Sequence, residues 1–64
     1  MIATYIKKET GEEVYVQSFL ETMTVMGEED ENETIPAVTF YFAKGDEGLQ
    51  IMPKESFSKE FEKK

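Results

Sequence analysis

The chain has 64 residues, room for one hydrophobic core, and its seven Lys against fourteen Asp and Glu give a net charge of −7. Arg, His, Cys and Trp are absent. These absences exclude a disulfide framework, a Cys/His zinc site and histidine-based acid/base catalysis.

Ile2, Thr4 and Ile6 alternate with Ala3, Tyr5 and Lys7. A period of two places alternate side chains on one face of a strand, so a first strand is predicted at about residues 2–7. Residues 8–12 read as a turn around Gly11. The apolar run from Val14 to Met26 predicts one long bent strand or two strands, because Val14, Val16, Thr22, Thr24 and Val25 are β-branched and disfavour a helix. Phe19, Leu20, Met23 and Met26 also fit helical spacing, and that alternative stays open here. Residues 27–34 hold five acids and no apolar side chain, which predicts a solvated, mobile loop.

Val38, Phe40 and Phe42 alternate with Ala37, Thr39, Tyr41 and Ala43, the clearest strand pattern in the chain. Its aromatic residues fall on both faces, which predicts an interior position in a sheet. Residues 44–48 carry two glycines and read as a turn, and Leu49-Gln50-Ile51-Met52 returns as a short strand, so residues 37–52 form a hairpin. Pro53 ends that strand for want of an amide proton. Residues 54–62 fit either a helical turn leading into a last strand or an amphipathic helix with Phe57 and Phe61 on one side. No crossover helix exists for parallel pairing. The expected fold is therefore all-β in a single small domain: an antiparallel, strongly bent sheet or an SH3-like barrel, with a short C-terminal helical turn.

The ending Val38-Thr39-Phe40-Tyr41, a glycine-bearing turn, Leu49-Gln50-Ile51-Met52-Pro53 and then Phe57 resembles the tail of short, uncharacterised bacterial and phage domains of SH3-like design. The resemblance covers about the last third of the chain. It implies a barrel closed by a strand and a Pro-x-x-x-Phe element, and a phage or mobile-element origin. It supplies no catalytic residue.

The carboxylate pairs Glu12/Glu13, Glu28/Glu29 and Asp46/Glu47 all fall in predicted turns, where solvent leaves a carboxyl group untuned for acid/base work. The serines have no histidine to activate them. Residues 28–33 offer oxygen ligands, but they lack the alternating Asp/Asn positions, internal Gly and flanking helices of a calcium-binding loop. No enzyme activity, cofactor or metal site is expected. No run of residues is apolar and long enough for a signal peptide or a membrane span, so a soluble cytoplasmic protein is expected.

Between Lys8 and Lys44 there is no basic residue, and residues 9–43 hold nine acids. Such a patch repels nucleic acid and anionic lipid alike, so neither direct nucleic-acid binding nor membrane binding is expected. It suits docking on a basic protein surface, where complementary fields speed encounter. The expected function is that of a non-enzymatic interaction protein, acting as an inhibitor or nucleic-acid mimic of phage or mobile-element type. Glu12, Glu13, Glu28, Glu29, Asp30 and Glu31 would carry the charge, with Tyr15 and Tyr41 as apolar anchors. The alternative expectation is a small structural or assembly protein, a homo-oligomer that self-associates through a sheet edge.

Overall fold

The computed structural model describes residues 2–27 and 31–64. Five strands and one helix follow in the order β1 (Ala3–Lys7), β2 (Glu13–Met26), β3 (Asn32–Phe42), β4 (Gln50–Pro53), α1 (Lys54–Glu60) and β5 (Phe61–Lys63). All pairings are antiparallel, and the strand order across the sheet is β4-β3-β2-β1-β5. The all-β expectation holds. The C-terminal ambiguity resolves to the helical turn leading into a last strand.

The sheet is not closed into a barrel. Strand β4 pairs only with β3 and β5 only with β1. Helix α1 joins those two edge strands directly, and seven residues at about 1.5 Å each hold their ends about 10 Å apart, roughly twice the spacing of paired strands. Of the two expected architectures, the bent open sheet is the one found, and the closed SH3-like barrel is corrected.

The bend is built into β2. Its register with β3 shifts between Val16 and Ser18 and again between Ser18 and Glu21, each time with one extra residue on β2. Such bulges kink a strand and increase its twist. The β-branched residues on either side keep the backbone extended, so β2 stays one strand of 14 residues rather than two. The helical spacing of Phe19, Leu20, Met23 and Met26 is not realised: Phe19 packs against the core while Leu20 is 91% exposed.

The core lies on one face of the sheet beneath α1. Val14, Val16, Val38, Phe40, Phe57 and Phe61 are buried, with Ala3, Tyr5, Phe19, Phe42 and Met52 packed around them. Helix α1 is too short to stand alone. Its place is set by Phe57, whose ring stacks on Phe61 at 4.5 Å and meets Phe40 at 5.4 Å, Tyr5 at 5.1 Å and Phe19 at 6.4 Å. Pro53 occupies the N-cap and contributes its fixed φ, while Glu55 and Lys59 lie at the helix ends their charges favour and form an exposed i,i+4 pair at 3.6 Å.

Strand β3 starts five residues earlier than expected, at Asn32, so residues 32–34 belong to a strand and not to the acidic loop. Thr34 and Ile35 favour extended backbone, and the length of β2 gives them partners in Thr24 and Met23. Glu28, Glu29 and Asp30 lie outside the described residues. The consequence is a two-stranded arm, residues 20–26 against 32–36, that continues past the ends of β1 and β4. The molecule is correspondingly elongated, 39 × 20 × 19 Å.

Candidate interaction surface

The expected partner-binding residues fall into separate places. Val14 and Val16 face the core, so Tyr15 between them faces the opposite side of the sheet, where it pairs across strands with Tyr41. The two rings meet edge to face at 5.4 Å, and both are half-buried. Glu13 lies on the same side as Tyr15. The exposed β1–β2 turn brings Glu12 beside them, and Thr10, Glu12, Glu13, Tyr15, Phe42 and Lys44 line one shallow open depression.

That depression is of mixed charge. The Glu13 carboxylate accepts a hydrogen bond from the Lys64 ammonium at 2.6 Å, which neutralises it within the chain. The hydrogen bond and then the Coulombic attraction of Glu13 raise the Lys64 pKa above its ordinary 10.5. Lys7 reaches over the Phe42 ring at 5.8 Å, and Lys44 closes the rim. Anionic docking at this end of the sheet therefore has only Glu12 as an exposed acid among the predicted residues.

Glu31 stands at the opposite end. Its carbonyl accepts the Gly27 amide proton, which closes the arm. Along β3 the nine steps from Tyr41 to Asn32 cover about 30 Å at ~3.3 Å per residue. The described members of the predicted set thus form two groups, with Glu12, Glu13, Tyr15 and Tyr41 at one end and Glu31 at the other.

The charge follows the arm. Residues 20–36 contain six of the fourteen acids and none of the seven lysines, a charge of −6 that leaves −1 for the remainder of the chain. Of these acids, Glu21, Glu31 and Glu33 are described, and all are exposed. In the arm the two faces differ. Leu20, Thr22, Thr24 and Met26 share one face with Asn32, Thr34 and Pro36; Glu21, Met23 and Val25 share the other with Glu33, Ile35 and Ala37. Leu20 and Met26 are 91% and 81% exposed, large apolar side chains with no cover from the body.

The partner-binding set drawn from the sequence left out Leu20, Glu21 and Met26, because residues 14–26 read as one apolar run. The available signal was length. A strand of 14 residues beside a first strand of five must leave part of one edge and one face unpartnered. Among the described residues no group of three or more carboxylates lies close enough together to hold a metal ion, and no helix is long and apolar enough to cross a membrane. No family model, curated protein or solved structure matches this chain.

Proposed function

We propose that the protein is a non-enzymatic interaction module that docks on a basic protein partner through its acidic two-stranded arm. The observation carrying this reading is the segregation of charge: −6 over residues 20–36 and −1 elsewhere. A ribbon standing out from a near-neutral body presents its field to a partner with little compensation from nearby lysines, and opposite fields accelerate and orient encounter. Leu20 and Met26 add apolar area that a partner can bury once the charges have aligned. Residence in the cytoplasm, an SH3-like ancestry and a mobile-element origin belong to the same proposal. Self-association through a sheet edge is the competing reading. It would bring two segments of −6 together, and like charges oppose it.

The test is affinity capture on the immobilised chain at about 50 mM and about 500 mM salt, conditions in which screening lengths differ severalfold. A basic protein should be retained at low salt and released at high salt. Replacing the six acids of residues 20–36 by Gln or Asn should abolish retention, while neutralising Glu47, Glu55, Glu60 and Glu62 on the body should not. Equal loss from both variants, or none from the first, would refute the arm as the docking element.

A further inference from the structure

The sheet offers several outer edges, and all but one are defended. The β4 edge has four residues and ends in Pro53, and the β5 edge has three with charged Glu62 and Lys63. On the arm, the outer edge of β3 includes Pro36, which has no amide proton to give. Short length, charge and proline are the usual means by which an edge refuses a further strand. Residues 20–26 of β2 run for seven residues with a single charge, Glu21, no Pro, Gly or Lys, and the β-branched Thr22, Thr24 and Val25. Among the described residues β1 pairs with β2 only at residues 13–16, so this stretch has β3 on one side and no described strand on the other.

The register shows which backbone groups are exposed. Pro36 cannot donate, so Thr22 and Pro36 form a pair without mutual hydrogen bonds, and alternation makes Met23/Ile35 and Val25/Glu33 the bonded pairs. The bond from the Gly27 amide to the Glu31 carbonyl continues the same series. Thr22, Thr24 and Met26 therefore turn their N–H and C=O groups outward. The neighbouring Leu20 amide is already taken by Ser18 Oγ at 3.0 Å, which sets where an added strand can begin.

We propose that this edge takes up an extended basic segment of the protein partner as an additional β-strand. The inference rests on the acidic-arm reading and specifies its mode. The added strand would alternate, placing Lys or Arg on the face that carries Glu21 and Glu33 and small apolar residues beside Leu20 and Met26, while its backbone pairs with Thr22, Thr24 and Met26. Charge complementarity selects this occupant over a second copy, whose own edge belongs to a segment of −6.

The experiment uses the full chain and the peptide Val-Lys-Thr-Lys-Val-Lys-Thr, alongside the same peptide with every backbone nitrogen methylated. Both have the same side chains and charge, but only the first can donate backbone hydrogen bonds. The parent peptide should bind and slow amide exchange at Thr22, Thr24 and Met26, and methylation should weaken binding at least about tenfold through the lost backbone bonds. Equal binding of the two peptides would overturn strand addition and leave the acidic-arm reading standing. Binding by neither would overturn both. Slow exchange at these amides without peptide, in a dimer seen by sedimentation and strengthened by salt, would assign the edge to a second copy and overturn the proposal.

Discussion

Phe57 is the residue on which the helix, the two edge strands and the sheet converge, so its truncation tests the packing most directly. The side chain is 2% exposed and its ring meets those of Tyr5, Phe19, Phe40 and Phe61. Phe57→Ala removes the burial of a phenyl ring and leaves a cavity that α1, tied at both ends to strands, closes only in part; such changes cost ~3–5 kcal/mol. A domain of this length has a total stability of only ~3–10 kcal/mol at ~0.05–0.15 kcal/mol per residue. Phe57→Ala should therefore remove from about a third to all of that stability, and at the lower end of the range it leaves the chain unfolded in water, with loss of strand circular dichroism and of amide dispersion. Phe57→Leu keeps part of the volume and should cost ~1–2 kcal/mol, lowering the urea midpoint by about 1–2 M for an m-value of ~1 kcal/mol/M. Leu20→Ala, at a position 91% exposed, should change stability by no more than ~0.5 kcal/mol. A Phe57→Ala protein with a midpoint within about 0.5 M of the parent would refute the placement of α1 on the core.

Two further predictions concern the ion pair and the turns. The Lys64 pKa is raised above 10.5 by the hydrogen bond to Glu13 and by that carboxylate's charge, so the stabilisation is complete below 10.5 and disappears as pH rises through the elevated folded value. Thermal scans should show Lys64→Met less stable than the parent at pH 8 and 9, with the difference closing only above 10.5; a gap already closed at pH 9 contradicts the pairing. Gly11 and Gly48 have φ of +78° and +81°, and a Cβ at either would meet nothing within 4 Å. Alanine there should cost ~1–2 kcal/mol each in urea unfolding through backbone strain alone. No measurable cost would mean that these turns adopt another conformation.

Much of the fold was legible because period two is a local property. Ile2 to Lys7, Val38 to Phe42 and Leu49 to Met52 each alternate over a handful of residues; β1 and β4 were found within a residue of their predicted places, and β3 covers its predicted place but begins five residues earlier. Absence was equally legible. A chain without His or Cys excludes whole classes of chemistry whatever its fold. The sequence by itself also located the excess charge in its middle.

Partnership was decided by the tertiary structure. Leu20, Met23, Val25 and Met26 continue the apolar run that begins at residues 14–16, yet β1 reaches only to the level of Val16, and beyond it the same strand has no outer neighbour among the described residues. Burial depends on what another segment supplies, which a local pattern does not contain. For the same reason Phe57 and Phe61, spaced as one helical face, came to lie on a helix and a strand that converge on Phe40. Glu13 was lost as a docking charge because Lys64, 51 residues away, reaches its carboxylate. What began as an acidic middle segment thus became an acidic arm with one open edge, because strand lengths and pairing, rather than composition, determine which charges and backbone groups a partner can reach.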